Sequence, residues 1–213
     1  MNIDQYRQAF RAKVIPSYYN GKVHVFIFTI LQMATTAYWF NKVPEWSLKS
    51  IPVILLSILW ASWILYFTHR YLLHRKIWGL HWAFKMHHWH HTFYQETKLE
   101  YDESNDLYML FMPPWLQSIY FFLYLPAIYL LLKPVVSEWA LTLVISVLVV
   151  WYGAYELIHW ICHLGKEHII QRRFAWARWM KEHHRFHHHK IHKDHCNFGI
   201  VEPSMDYIFK TKK

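Results

Sequence analysis

Histidine is the residue whose number and spacing promise chemistry here: 18 occur in 213 residues, and all but His24 lie between His69 and His195. They form four groups. The first is His69-Arg70-Tyr71-Leu72-Leu73-His74, and the second is His87-His88-Trp89-His90-His91. The third is His159-Trp160-Ile161-Cys162-His163. The fourth is His183-His184-Arg185-Phe186-His187-His188-His189, trailed by His192 and His195. On an α-helix, positions i, i+3 and i+4 share a face. His87, His90 and His91 therefore project together, as do His184, His187 and His188, while His159 and His163 make an i, i+4 pair. His69 and His74, five apart, point roughly 140° away from each other on an ideal helix. They are expected to serve different ions, or the helix ends between them. Zinc takes about four ligands, and non-haem iron keeps positions open for oxygen. Ten imidazoles thus suit two ions of four or five ligands each. Spacing does not separate His183 from His184, since His183 and His187 are also i, i+4.

Imidazole binds Fe, Zn, Cu and Ni alike, so the pattern does not name the metal. The missing motifs narrow the chemistry. The paired Glu-x-x-His motifs of soluble di-iron bundles are missing, since only Glu156 to His159 has that spacing, and no His-Glu-x-x-His zincin motif is present. The two cysteines, Cys162 and Cys196, make neither a disulfide framework nor a C-x-x-C site. A hydrolytic zinc site needs a positioned carboxylate, for which only Glu156 and Glu182 stand close in sequence, and the ligand excess argues against that class. His24 and His168, standing alone, read as interfacial side chains.

The elements that must position these rings are apolar runs of membrane length. A bilayer core of about 30 Å needs about 20 helical residues. Val23–Phe40, Ile51–Thr68, Leu107–Leu132 and Pro134–His163 qualify. The third contains Pro113, Pro114 and Pro126, which predict a kinked helix or a start after the proline pair. Met1 to Lys22 is polar and basic, with no cleavable apolar core. Hydrophobic residues make up 54%, aromatics 20% and charged residues 17%, which excludes a disordered chain. The net charge of +9 does not signal nucleic acid, because Lys and Arg sit at the ends of the apolar runs. Four fall in 1–22, five in 69–106 and eleven in 164–213, leaving only Lys42, Lys49 and Lys133 elsewhere. The positive-inside rule then puts both termini and the His boxes in the cytoplasm. Trp39, Trp46, Trp115, Trp139, Trp151 and Tyr152 fit interfacial belts. The expected fold is all-α, an integral membrane protein of about four transmembrane helices carrying a helical cytoplasmic cap. The chain reads as one domain, 1–213: helical hairpins at 23–68 and 107–163, and His-bearing cap segments at 69–106 and 164–213.

From about Leu65 to Thr211 the sequence resembles the fatty acid hydroxylase / sterol desaturase superfamily of membrane-bound, His-rich dimetal oxygenases. The resemblance runs through Tyr66-Phe67-Thr68-His69 to His74, His87-x-x-His90-His91, Tyr155-Glu156-Leu157-Ile158-His159 to His163, and His184-x-x-His187-His188. It closes on Asn197-Phe198-Gly199-Ile200 and Asp206-Tyr207-Ile208-Phe209-Lys210-Thr211, and is closest to the fatty acid 2-hydroxylase branch. It implies two iron ions, with zinc able to substitute in a purified sample. Their ligands are His69, His74, His87, His90, His91, His159, His163, His184, His187 and His188; choosing His184 over His183 rests on this resemblance. It also implies O2-dependent hydroxylation of a lipid acyl chain, in the endoplasmic reticulum of a eukaryote or the inner membrane of a bacterium. Some members carry a fused haem domain for which Met1–Lys22 is too short, so electrons are expected from a separate cytochrome or ferredoxin-type donor. Two details depart from the family pattern: Tyr155-Glu156 replaces its Tyr-Asp, and Phe209-Lys210-Thr211 replaces its Phe-Gly-Thr.

Around the ligands, Tyr155, Glu156, Asn197 and Asp206 are the candidate catalytic or substrate-side residues, with Glu156, Asp194, Asn197 and Asp206 as candidates for fixing ligand tautomers. Trp82, Phe84, Trp89 and Phe93 either line an acyl channel or simply pack. The segment Glu96–Asp106, with five carboxylates, reads as a solvated loop. Alternatives are a sterol or carotenoid hydroxylase or desaturase of the same superfamily. From another class, a metal transporter is the rival, but transport sites lie near the bilayer midplane, and these boxes lie at helix ends.

Overall fold

The computed structural model describes residues 2–213. Helices account for its regular structure, with no strand among the described residues. Four are long and apolar enough to cross a membrane: Gly21–Asn41, Ser50–Leu73, Pro114–Leu132 and Glu138–Cys162. The chain is an integral membrane protein, as the surfaces of these helices show. Phe26, Leu56 and Leu131 are 66%, 67% and 75% exposed, an outward face that water would not tolerate. The chain divides into two compact units, one of 23–61 and 112–154, the other of 1–22, 62–111 and 155–213.

The first of these units holds most of α2 (Gly21–Asn41), the start of α3 (Ser50–Phe67), α5 (Pro114–Ile119), α6 (Leu125–Leu132) and much of α7 (Glu138–Cys162). The third apolar run starts as a helix at Pro114, whose missing N–H suits a first turn. Leu107–Met109, expected at its beginning, belongs instead to a 3₁₀ turn, Ser104–Met109. Pro126 withdraws the donor that the Phe122 carbonyl would otherwise take, and the helix opens into a π turn at Tyr120–Tyr124. The core is Ala61, Phe121, Leu125, Leu141, Ile145, Leu148 and Val149. Polar groups bond within the unit: Ser146 Oγ donates to Thr142 O at 2.7 Å on the same helix, and Gln32 Nε2 on α2 donates to Val149 O on α7 at 2.9 Å. His24, 4% exposed, lies with its Nε2 3.1 Å from Met112 O.

The second unit carries the histidines. Its elements are α1 (Ile3–Val14), the π turn Thr68–Leu73 that prolongs α3, α4 (His81–Phe93), the end of α7, α8 (Ile169–Arg173), α9 (Ala175–His187) and α10 (Ser204–Ile208). Helix α1 is closed by a capping box between Asn2 and Gln5, with Asp4 in its first turn and Arg11 and Lys13 in its last. On α4 the buried positions include 83, 87, 90 and 91, and on α9 they include 177, 180, 184 and 187. This is the stripe that apolar residues occupy in an ordinary amphipathic helix. Here imidazoles fill much of it, so these helices bury their ligands by the same periodicity that would bury a core.

Candidate metal centre

Ten imidazoles crowd the interior of the second unit. His69, His74, His87, His91 and His187 form one group and His90, His159, His163 and His184 another, with one nitrogen from each ring within 4.8 Å of the others in its group. His188 Nε2 is 3.0 Å from the Nε2 of both His90 and His184, which attaches it to the second group. Helices α4 and α9 each serve both groups: His87, His91 and His187 go to the first, His90 and His184 to the second.

His69 and His74 fall in the same group, against the expectation of different ions. The helix does end between them, at Leu73 with His74 as its C-cap, but it is no longer α-helical there. It widens into the π turn Thr68–Leu73, and i→i+5 bonding stacks residues five apart. The extra residue that an α-helix would rotate away is absorbed in the wider turn.

The outward nitrogens define what the inward ones can do. The Nδ1–H of His69 donates to Phe198 O at 2.7 Å, that of His90 to Met109 O at 2.8 Å, and that of His163 to Leu99 O at 2.7 Å. His187 donates to Cys196 O at 2.8 Å, His188 to Tyr94 O at 2.5 Å, and His74 to the Asp194 carboxylate at 2.9 Å. A neutral imidazole carries one proton, so each of these rings presents a bare lone pair at Nε2. Burial keeps them neutral: it pushes the imidazolium pKa of His90 down to about 4 and those of His187 and His188 well below the ordinary value. Yet His74 and His187 bring their Nε2 atoms within 3.2 Å, and His90 and His188 within 3.0 Å. Two lone pairs at that distance repel, and neither has a proton to share. A cation between them removes the conflict, so the donor set fits metal ions and fits nothing else as well. Both groups consist of histidine alone, and no carboxylate joins them among the described residues.

The fatty acid hydroxylase family model matches residues 54–211. The chain belongs to the fatty acid hydroxylase family. Among solved structures it is similar to full-length Scs7p, of which only the hydroxylase domain is visible. The two share 20% sequence identity at a TM-score of 0.61, over 91% of this chain and 67% of that one, a likeness of fold. No curated protein matches the chain.

Within this fatty acid hydroxylase chain the residues named from sequence beside the ligands have diverse contacts. Asp194 bonds His74 directly. Tyr155 stacks on His159, ring centroids 5.7 Å apart, and Glu156 is buried on the same helix. Asn197 and Asp206 act on backbone instead. Asn197 Nδ2 donates to His183 O at 3.0 Å, and Asp206 accepts from the N–H groups of Phe198 and Gly199. His183 turns away from both groups, its Nε2 lying 3.4 Å from Asp206 Oδ2, so His184 is the ring that converges. The acidic segment Glu96–Asp106 is no solvated loop: Arg7, Arg11, Lys98 and Lys181 pair with its carboxylates, and Asp106 is fully buried. Phe93 packs against Phe10 and Arg7 in the interior, whereas Phe84 lines a cavity of about 160 Å³. That cavity also touches Leu73, His74, His87, His88, His91, Lys193 and Asp194, and so reaches the first His group. Sequence reasoning missed the five carbonyls at Tyr94, Leu99, Met109, Cys196 and Phe198, because a backbone acceptor has no residue signature.

Proposed function

We propose that this fatty acid hydroxylase family member hydroxylates a lipid acyl chain with O2 at a pair of irons, drawing electrons from a separate cytochrome or ferredoxin-type donor, in the manner of a fatty acid or sphingolipid 2-hydroxylase. The observation that carries the reading is the facing of bare Nε2 lone pairs in two all-histidine groups. His69, His74, His87, His91 and His187 would hold one ion, and His90, His159, His163, His184 and His188 the other. When bound, two irons supply the oxidising power needed against an unactivated C–H bond, which no side-chain base can break.

The protein's own contribution is orientation and exclusion. The Nδ1–H bonds of His69, His90, His163, His187 and His188 to backbone, and of His74 to Asp194, fix those six rings in one tautomer and one plane before any ion arrives. Apolar and aromatic neighbours keep bulk water off the nitrogens. The cavity beside His74, His87 and His91 is an approach for O2 or for the reacting end of a chain whose tail stays in lipid. Tyr155 and Glu156, one turn before His159, would act from the α7 side, Asp206 by holding the Phe198 residue whose carbonyl takes the His69 Nδ1–H, and Asn197 by tying its turn to α9 through His183 O. The His groups and both termini would face the cytoplasm.

The test is metal and product analysis of detergent-purified protein. Two ions per chain are expected, and hydroxylated lipid that requires both O2 and reductant; labelled lipid extracts separate acyl from sterol or carotenoid products. His90→Ala and His187→Ala, one from each group, should each lose metal, whereas His24→Ala should keep it. Full metal content in both ligand variants, or product formed without O2, overturns the reading.

A further inference from the structure

Arg7 lies on α1, outside the span matched by the family, and its side chain is 0% exposed. A buried guanidinium must satisfy its donors on protein, and the fork geometry lets one side chain tie several acceptors together. Arg7 Nε donates to Phe93 O at 3.0 Å, Nη1 to Glu100 O at 2.8 Å and to Asp102 Oδ2 at 3.1 Å, and Nη2 to Lys98 O at 2.5 Å. The same guanidinium lies over the rings of Phe93 and Tyr94. These anchor points interleave with two others. Phe93 precedes Tyr94, whose carbonyl takes the His188 Nδ1–H, and Leu99, whose carbonyl takes the His163 Nδ1–H, stands between Lys98 and Glu100. The Tyr94 ring also packs on His163 at 4.4 Å and on His90 at 5.2 Å between centroids. Arg7 therefore grips the chain on both sides of the acceptors for the second His group, and makes no bond to the acceptors of the first, which lie at Cys196, Phe198 and Asp194.

We infer that Arg7 is a positioning residue for one ion only: it holds the 93–102 segment so that His163 and His188 keep their tautomers and aim, and the second group loses its ion when Arg7 is lost. The inference rests on the metal reading of the two His groups. The experiment compares Arg7→Ala, Arg7→Lys and His163→Ala in the full chain, reading metal per chain and unfolding temperature in detergent. His163→Ala and Arg7→Ala should each fall from two ions to about one, with Arg7→Lys between them and wild type, since an ammonium cannot bridge four acceptors. The ion that Arg7→Ala retains should be removed by adding His187→Ala. A residue with a merely structural role would lower the unfolding temperature while the two ions stay or leave together. Two ions retained in Arg7→Ala while His163→Ala loses one overturns the inference alone; no loss in His163→Ala overturns the metal reading beneath it. Should Arg7→Ala not accumulate, Arg7→Lys is judged by the same selective loss.

Discussion

Asp206 has no exposed surface and accepts hydrogen bonds from the N–H groups of Phe198 and Gly199 and from the Thr211 hydroxyl. The carbonyl of the same Phe198 takes the His69 proton, so the carboxylate governs an imidazole it does not touch. Gly199 makes this approach possible: a Cβ there would meet Glu202 O at 2.4 Å and Asp206 Oδ2 at 2.8 Å. The Glu202 contact is backbone and cannot swing aside. Gly199→Ala should therefore shift the 197–206 turn, costing about 1–3 kcal/mol as overpacked sites do, and should weaken metal retention at the first His group. Chemical unfolding and metal analysis of the variant check both; wild-type stability with full metal would refute the argument. Asn197, at φ 55°, occupies the left-handed region that asparagine tolerates better than most residues. Its presence and that of Asp206 beside the ligands were legible in sequence. Their action through backbone was not, because the acceptors they position are peptide carbonyls common to every residue.

The existence of the apolar helices follows from the length of the apolar runs, and the shared face of His87 and His91 or of His184 and His188 from periodicity, and the structure shows both, though the third run becomes helical only at Pro114. The first box does not follow from periodicity, because a six-residue π turn at Thr68–Leu73 breaks the 3.6-residue repeat on which the reading depends. The third box, with His159 on α7 and His163 just past its last residue Cys162, keeps the i, i+4 spacing and belongs to one group. A π turn is an α-helix that has absorbed one extra residue. Removing Leu72 should therefore let the turn relax to α with the two histidines at i, i+4, still on one face. Inserting an alanine after Tyr71 puts them six apart, roughly 240° around an α-helix. The deletion is expected to keep most of the metal and the insertion to lose about one ion per chain. Equal losses in the two variants would show that the π geometry itself, rather than the shared face, is what the site needs. Element identity is thus local information, whereas a change of helical pitch is decided by what the turn packs against.

At the scale of the molecule, the unit that holds the histidines is tied by charges drawn from distant parts of the chain. Arg7 and Arg11 reach Asp102 and Asp106, Lys181 reaches Glu100 at 2.5 Å, and Asp206 lies against His183. Sequence gave no sign of this, since a run of five carboxylates in 96–106 looks the same whether solvated or paired; only the return of α1 and α9 to that segment distinguishes the cases. The pairing has a pH signature with a definite sign. Burial raises the pKa of the Glu100, Asp102 and Asp206 carboxyls, but their bonds outweigh it and leave all three below the ordinary range. The opposing bonds are from Lys181 at Glu100, from Lys98 and Arg7 at Asp102, and from His183, Thr211 and the Gly199 and Phe198 amides at Asp206. As pH falls, the unfolded chain takes up these protons first, near pH 4. The stability the three carboxylates contribute is therefore complete above about pH 5 and drains away below it as the folded pKa values are approached. Metal ligands titrate too, so the comparison is made between chelator-treated wild type and a Glu100→Gln, Asp102→Asn double variant, whose carboxylates pair with Lys181, Lys98, Arg7 and Arg11 rather than with imidazoles, so that the imidazole contribution cancels. The gap in unfolding midpoint between the two should be constant from about pH 5 to 7 and narrow steadily toward pH 3. A gap that widens on acidification would mean that these carboxyls are protonated in the native fold and that the charge clamp is not what holds the segment.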